Sequence, residues 1–367
     1  MTERQVLQSV LAGEMPDRTP WFGDLSWWWA AQRARGCLPE AHTDPIAGYL
    51  RMHQDAGVGI YLYAPLLWRT EHDETVRHAE VTEGDHAVTT YRTPAGDLRS
   101  VTRRLPESQT SAIVEHLVKG PDDLAAVRWL FQHRLVIADP EPFAACDRLW
   151  GRSGLACALA PISTSGLQSL LTRLAGVEVT SMLVADAPSE LEVTVETMQK
   201  ADDPIFRILC DSPAELVVFP DNLSGEVTGR RLMRRYNMAY WSRRIEQLHR
   251  TGKRVGIHND GTLRASLPLL VEAGFDIVEA ATPAPVGDMA LEEIRDVTAG
   301  RTIVWGGLPG AVFSPLTSDE AFEALVRQAL ETFPRGSGFV LGVADQVPPD
   351  AEWRRICLVR DCVERWG

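Results

Sequence analysis

Five short apolar runs in the second half of the chain each end on polar residues or glycine. Between them, apolar residues recur at helical spacing. This alternation predicts parallel strands joined by helices, and in an α/β barrel the carboxyl ends of all strands lie on one face. Polar side chains placed there are expected to converge on one pocket, which favours an enzyme. The runs and the residues that follow them are 216–219 with Asp221, 254–257 with His258 and Asp260, 275–278 with Glu279, 302–305 with Gly306, and 339–341 with Asp345.

Three further runs in the first half bring the predicted strand count to eight. They lie at 21–22, 60–63 and 155–159. Eight strands favour closure into a (β/α)8 TIM barrel over an open doubly wound sheet, and no Gly-x-Gly-x-x-Gly turn follows any of them. We expect one α/β TIM-barrel domain over residues 1–367, with a short N-terminal helical segment. Alternating β-like runs and turns predict an antiparallel β-hairpin excursion over about residues 77–104.

Charge and composition disfavour several classes of partner. A formal net charge of −13 opposes binding to nucleic acid or to an anionic membrane, although a few local arginines are enough to hold an anionic substrate. The six cysteines form no Cys-x-x-Cys pair and are typical of a reducing cytosol. No apolar stretch approaches the roughly 18 residues of a membrane span. We therefore expect a cytoplasmic protein that acts on a small molecule.

His258 and Asp260 form the most informative pair. Residues i and i+2 of an extended chain point to the same side, so these two side chains either bind a divalent metal or act together as a general acid and base. The alternative is a histidine that only makes structural hydrogen bonds at a strand end. Asp345 and Glu279 follow other predicted strands and would complete a donor set suited to Zn²⁺, Fe²⁺ or Mn²⁺, with zinc the expected ion.

The remaining candidates each have a structural alternative. Asp221 either takes part in catalysis or caps the next helix. The glycine pair that follows Trp305 either lets the backbone approach a ligand or makes a tight turn. The tryptophan triplet 27–29 either lines an apolar pocket or covers a homodimer contact. The expected substrate-binding residues are Asp24, Trp27, Tyr61, Tyr63, Trp305 and Gly306.

Two segments carry a family resemblance. Residues 253–261 (KRVGIHNDG) and 267–276 (LPLLVEAGFD) resemble the central signature of the uroporphyrinogen decarboxylase superfamily. The resemblance implies a TIM barrel with its pocket at the strand carboxyl ends. It implies one of two chemistries: cofactor-free decarboxylation of uroporphyrinogen, or zinc-dependent methyl transfer between a corrinoid and a thiol or another acceptor. Shorter likenesses lie at 16–20, 93–98, 305–308, 338–342 and 348–350.

The chain departs from both branches of this family. The decarboxylases have an arginine-rich N-terminal segment, whereas the matching residues 23–29 are aromatic, which disfavours a polyanionic tetrapyrrole. The thiol-directed methyltransferases use a His-x-Cys motif and a later cysteine as zinc ligands. In this chain His258 stands at the histidine, Asp260 at the first cysteine and Asp345 at the second. Carboxylates are harder ligands than thiolates, so the resemblance implies an altered metal site.

The function expected from these observations is metal-assisted methyl transfer or demethylation of a small, partly aromatic or apolar substrate, with a corrinoid protein as partner. One alternative is a metal-free decarboxylase of a non-porphyrin acid, in which Asp221 or Asp24 stabilises a cationic intermediate and His258 moves protons. Another is a barrel that binds a small molecule without catalysis. The expected catalytic residues are His258, Asp260, Asp221 and Glu279, and the expected metal ligands are His258, Asp260 and Asp345.

Overall fold

The computed structural model describes residues 1–61, 64–106 and 110–367 of the chain. In the described part, a parallel sheet of six strands is accompanied by antiparallel sheets of four and two strands. The strands are β1 (Trp68–His72), β2 (Arg77–Glu83), β3 (His86–Thr93), β4 (Gly96–Leu105), β5 (Thr110–Glu115), β6 (Arg134–Ala138), β7 (Ala158–Leu159), β8 (Leu216–Phe219), β9 (Arg254–His258), β10 (Ile277–Ala281), β11 (Ile303–Pro309) and β12 (Phe339–Ala344).

Helices precede the parallel sheet and connect most of its strands. None of the described helices combines the length and the apolar character needed to cross a membrane. Two π-helical segments lie at Leu170–Leu174 and Met233–Asn237. The α-helices are α1 (Glu3–Ala12), α2 (Ser26–Ala34), α3 (Ala47–Ala56), α4 (Leu124–Gln132), α5 (Glu141–Trp150), α6 (Gly166–Ser169), α7 (Gly176–Asp186), α8 (Pro188–Ala201), α9 (Asp203–Asp211), α10 (Gly225–Leu232), α11 (Met238–His249), α12 (Leu267–Ala273), α13 (Leu291–Thr298), α14 (Asp319–Thr332) and α15 (Trp353–Trp366).

The parallel sheet has the strand order β12-β11-β10-β9-β8-β7, so consecutive strands are neighbours. Every residue of β8, β10 and β12 is buried. Strands covered on both faces are apolar throughout, which explains the continuous apolar runs in the sequence. The predicted mixed α/β class and the alternation of strands with helices in the second half are confirmed.

The first two predicted strands appear as isolated parallel bridges. Trp21 bridges Leu341 of β12, and Phe22 bridges Gly59. Ile60 in turn bridges Gly154, four residues before β7. Among the described residues these short extended segments therefore pair with β12, with each other and with the residues ahead of β7 through isolated bridges.

The predicted excursion is confirmed as antiparallel and is longer than expected. Strands β2 to β5 pair in sequence order, so the sheet runs past residue 104 to Glu115. Leu98 of this sheet and Leu124 of α4 belong to one buried apolar cluster, separate from the main core. The pairing of β1 with β6 was not predicted, because β1 carries the polar run 69–72 and lacks strand-like alternation.

The N-terminal helical segment is also confirmed, and its ends follow from the sequence. Thr2 caps α1 through a reciprocal pair of hydrogen bonds with Gln5, which satisfies amide groups that the first helical turn leaves unpaired. Gly13 ends the helix at φ 74°, a left-handed conformation that glycine adopts without steric cost. The assignment of residues 1–367 to one domain stays a prediction.

Candidate functional site

His258 is held from one side by a buried carboxylate. It is the last residue of β9 and lies opposite Glu279 of β10 in the parallel register. His258 Nδ1 donates to Glu279 Oε2 over 2.5 Å, and the Tyr61 hydroxyl donates to Glu279 Oε1 over 2.8 Å. Glu279 is 1% exposed. Because Nδ1 is engaged, Nε2 is the ring nitrogen that His258 presents to other partners.

Two further carboxylates lie on the Nε2 side of this histidine. Asp260 Oδ2 is 3.9 Å from His258 Nε2, and Asp345 Oδ1 is 3.8 Å from the same nitrogen. One potential ligand atom from each of the three residues lies within 4.8 Å of the others. The structure therefore brings Asp345 next to His258 and Asp260, although His258 and Asp345 are 87 positions apart in the sequence.

These three side chains offer the types of donor atom that a metal ion binds. Ligand atoms at zinc–nitrogen and zinc–oxygen distances of about 2.1 Å are separated by about 3.4 Å in a tetrahedral site. The separations of 3.8 and 3.9 Å from His258 Nε2 exceed this value by a few tenths of an ångström, and all three ligand atoms lie within 4.8 Å of one another. One imidazole nitrogen and two carboxylate oxygens are ligands that Zn²⁺, Fe²⁺ and Mn²⁺ accept.

The cluster of acids changes the protonation of both His258 and Asp345. Burial lowers the pKa of His258, but the charge and hydrogen bond of Glu279, joined by the charges of Asp260 and Asp345, outweigh it and raise that pKa to about 9. Partial burial raises the pKa of Asp345 to about 6, with a further contribution from the acids around it. The site accumulates negative charge and gains from any cation placed between these groups.

A cavity of about 420 Å³ opens above the cluster. Its apolar wall includes Leu159, Ile162 and Val218, which follow or belong to strands of the parallel sheet. A cavity in which polar side chains converge beside apolar ones is typical of sites for small molecules. The polar groups that border this cavity are Asp24, Ser163, Asn222, His258, Glu279, Asp345 and Gln346, with Thr172 and Arg173 at one side.

The backbone around this cavity adopts conformations that are costly for residues with a side chain. Ser163, Asn222 and Asp345 border the cavity with φ values of 56°, 48° and 68°. Ala280, which follows Glu279, has φ 61°. Such left-handed residues persist only where the surroundings hold them, and they are concentrated at functional sites. Ser163, Asn222 and Asp345 follow the ends of β7, β8 and β12, and all three border the cavity.

Asp24 lies beside the cluster and is part of the cavity wall. Its Oδ2 accepts from Gln346 Nε2 over 2.9 Å, and its Oδ1 accepts from the Ser26 backbone amide over 2.8 Å. The Asp24 charge also helps to raise the pKa of Asp345. The prediction that Asp24 borders a pocket is in accord with this position.

Asp221 is fully buried. Its chain neighbours Pro220 and Asn222 border the cavity, but Asp221 itself does not. Its Oδ1 accepts from the Thr164 amide over 2.5 Å, and its Oδ2 accepts from Trp241 Nε1 over 3.2 Å. Burial raises the pKa of Asp221 to about 6. The structure does not bring Asp221 to the His258 cluster, and its hydrogen bonds join two neighbouring segments.

Trp305 and Gly306 are packed inside the protein and do not border the cavity. Trp305 Nε1 donates to the Phe22 carbonyl over 3.2 Å, and the indole lies against the Tyr61 ring with centroids 4.3 Å apart. A Cβ on Gly306 would come within 2.5 Å of the Ala281 carbonyl oxygen. The glycine is therefore needed for the close approach of two strands. Strand β11 does not end at residue 305, as the sequence suggested, but continues to Pro309.

The other predicted substrate-binding residues are placed as follows. Tyr61 touches the site indirectly, through Glu279. Trp27 lies half-buried in α2, away from the cavity wall. Its neighbour Trp28 stacks on Trp353 with centroids 5.5 Å apart. Tyr63 lies outside the described residues.

Sequence reasoning missed several residues of the cavity wall. Asn222 and Gln346 each follow a residue that was singled out, so their position after a predicted strand was a usable signal. Thr172 and Arg173 come from the π-helix Leu170–Leu174. A π-helical turn leaves no periodic pattern in the sequence, so nothing indicated that these two side chains reach the site.

No family model and no curated protein matches the chain. Among solved structures, a methyltransferase from Methanosarcina mazei is similar over 100% of this chain and 99% of that chain, with 13% sequence identity and a TM-score of 0.63. The octameric ribulose-1,5-bisphosphate carboxylase/oxygenase from Pyrococcus horikoshii OT3 matches 67% of this chain and 49% of its own at 12% identity, but its TM-score of 0.29 is too low to support a comparison. The chain therefore shares its fold with the Methanosarcina protein.

Proposed function

We propose that this protein is a metal-dependent methyltransferase or demethylase of the uroporphyrinogen decarboxylase superfamily, with its metal held by His258, Asp260 and Asp345. The observation that carries the proposal is the Glu279–His258 hydrogen bond beside the two aspartates. A carboxylate that holds one nitrogen of a histidine while the other faces further ligand atoms is the usual arrangement around protein-bound metals. The fold shared with the Methanosarcina methyltransferase supports this reaction class.

The proposal includes closure of the parallel sheet into an eight-stranded barrel. Its support is the series of bridges from β12 to Trp21, from Phe22 to Gly59, and from Ile60 to Gly154 ahead of β7. Together with the six paired strands, these two short segments would complete a ring of eight. In such a ring the carboxyl ends of all strands surround one mouth, where the cavity lies.

Zinc is the metal that we propose, because it accepts imidazole and carboxylate ligands at the separations that the site provides. The bound ion would act as a Lewis acid that activates the methyl donor or acceptor. Glu279 keeps Nδ1 of His258 occupied and so directs Nε2 towards the ligand position. Tyr61 in turn fixes the orientation of Glu279.

The cavity defines the substrate in outline. Its apolar residues Leu159, Ile162 and Val218 would contact the apolar part of the substrate next to the reacting centre. Asp24, Asn222 and Gln346 offer carboxylate and amide groups for polar parts of the same molecule. As the source or receiver of the methyl group we propose a corrinoid protein, which the resemblance at residues 253–276 supports.

The metal can be tested directly on protein purified without chelator. Elemental analysis is expected to give about one equivalent of zinc per chain, because a site of this type binds structural or catalytic zinc tightly. Replacement of Asp345 by Asn should remove most of that metal. The matched control is Asp296→Asn, which changes an exposed aspartate that is paired with its neighbour Arg295.

Two results would contradict the proposal. One is less than ~0.2 equivalents of any transition metal in the wild-type protein, with no gain after reconstitution. The other is equal metal content in wild type and the Asp345→Asn variant. Release of CO₂ from an aromatic acid by the metal-free protein would instead favour the decarboxylase alternative.

A further inference from the structure

A second cavity of about 280 Å³ adjoins the one above the metal ligands. Ile162, Ser163 and Arg173 border both cavities, so the two spaces meet at these residues. Aromatic and aliphatic side chains make up most of the second cavity's wall. Among them are Trp68, Tyr91, Leu130, Phe131, Met198 and Ile205.

Arg173 lies where the two cavities meet, and its guanidinium group has no carboxylate partner among the described residues. Within the described part of the chain, no carboxylate lies within ion-pair distance of it, and the side chain is exposed. The other arginine of the second cavity, Arg134, is paired with Asp202 over 2.6 Å. An arginine without a carboxylate partner beside an acidic cavity is suited to binding an anion from solution, because its fork of N–H groups matches a carboxylate.

The segment that carries Arg173 is built to hold it in place. Arg173 belongs to the π-helix Leu170–Leu174, and π-helical turns occur frequently at functional sites. Next to it, Thr172 Oγ1 shares a hydrogen bond of 2.7 Å with Ser163 Oγ, where the backbone has φ 56°. This contact ties the π-helix to the end of β7, so the base of the Arg173 side chain is fixed relative to both cavities.

Charge selects where an anionic group can lie. Of the described residues that border the first cavity, the cationic ones are His258 and Arg173, whereas Asp24, Glu279 and Asp345 are acidic. His258 and Asp345 are already assigned to the metal, and Glu279 is engaged by His258, so none of these three groups is available to bind an anion. Arg173 is the position at which an anion gains attraction without meeting these carboxylates at close range.

We infer that Arg173 binds the anionic group of a substrate that joins a carboxylate to an apolar or aromatic body, with that body in the second cavity. The inference rests on the proposed function only for the statement that the reacting end of the molecule faces His258, Asp260 and Asp345. It assigns the substrate class, an amphipathic organic anion, and a specificity-determining residue that lies outside the metal ligands.

The test uses calorimetric titration of the full chain, as purified, with three probes: hydrocinnamate, its neutral amide, and propionate. Hydrocinnamate is expected to bind at least about tenfold more tightly than the amide, which lacks the charge, and than propionate, which lacks the ring. Arg173→Gln should weaken hydrocinnamate binding about tenfold and leave amide binding within about twofold. Arg173→Lys should retain part of the difference, because it keeps the charge and loses the fork.

The control is Arg301→Gln, an exposed arginine ahead of β11 at the opposite end of the strands. It should bind all three probes as the wild type does. The inference is overturned if hydrocinnamate does not bind, if the amide binds as well as the acid, or if Arg173→Gln binds the acid as tightly as wild type. The metal content of the same samples is measured separately, so a failure of this inference is distinguishable from a failure of the metal proposal.

Discussion

One buried carboxylate, Asp221, lies just after β8 and another, Glu279, lies within β10, and the two are held by different partners. Asp221, after β8, accepts hydrogen bonds from a backbone amide and an indole, neither of which changes charge near neutral pH. Glu279, in β10, accepts from a phenol and an imidazole, and the imidazole faces the cavity. The comparison teaches that the burial of a carboxylate beside the parallel sheet does not by itself make that carboxylate a catalytic group. The partner that the carboxylate orients decides its role.

The pH dependence of stability should expose the structural role of Asp221. Its pKa is raised from 3.8 to about 6 in the folded protein, so the native state binds this proton more tightly than the unfolded chain does. Stability from this group is therefore present at low pH and is lost as the pH rises through about 6. Relative to Asp221→Asn, the free energy of unfolding of wild type should fall by about 2.4 kcal/mol between pH 4 and pH 7.

Denaturant titrations of both proteins at a series of pH values measure this difference. Other titrating groups are common to the two chains and cancel in the subtraction. If the difference in unfolding free energy between the two proteins stays constant from pH 4 to pH 7, the pKa of Asp221 is not raised by its burial. The contrast between Asp221 and Glu279 would then weaken.

Removal of the charge at Glu279 should act on metal affinity. Glu279→Gln is expected to weaken zinc binding about 10–100-fold, the usual cost of losing the outer partner of a histidine ligand. Asp221→Asn serves as the matched control, because it also neutralises a buried acid of the parallel-sheet region, and it should change zinc affinity by less than about threefold. Competition with a chromophoric zinc chelator measures both constants. Equal losses in the two variants would break the distinction between these carboxylates.

Tyr61→Phe should have the smallest effect of the series. It removes one hydrogen bond to Glu279 Oε1, whose net contribution is about 0.5–1.5 kcal/mol, or roughly a two- to tenfold change in affinity. We expect zinc affinity to fall within that range in the chelator assay. A loss larger than that of Glu279→Gln would mean that Tyr61 contacts the metal or its ligands by another route.

Much of the strand-end arrangement was predictable from the sequence. His258, Glu279 and Asp345 each follow or end a run of apolar residues, and parallel strands must bring such positions to one edge. The same pattern also selected Asp221 and could not separate it from the others. Asp221 differs from the other three residues because Trp241 of α11 donates a hydrogen bond to it. This contact depends on how α11 packs against the sheet, which the sequence pattern does not show.

The parts that escaped prediction have identifiable physical causes. The segments around Trp21 and Ile60 were predicted as strands, and their described residues pair through isolated bridges without forming a ladder. Arg173 escaped because a π-helical turn breaks the regular spacing from which a helix face is read. Gly306 was predicted to contact a ligand. The structure instead explains the glycine by the close approach of β10, whose Ala281 carbonyl oxygen leaves no room for a Cβ.

The central claim is that His258, Asp260 and Asp345 hold one metal ion. Anomalous diffraction above the zinc absorption edge, from crystals of protein purified without chelator, tests it most directly. We predict a single strong anomalous peak within about 2.0–2.2 Å of His258 Nε2 and of one oxygen from each aspartate. No peak between these three side chains after zinc is added to the crystals, or a peak elsewhere in the chain, would contradict the proposal.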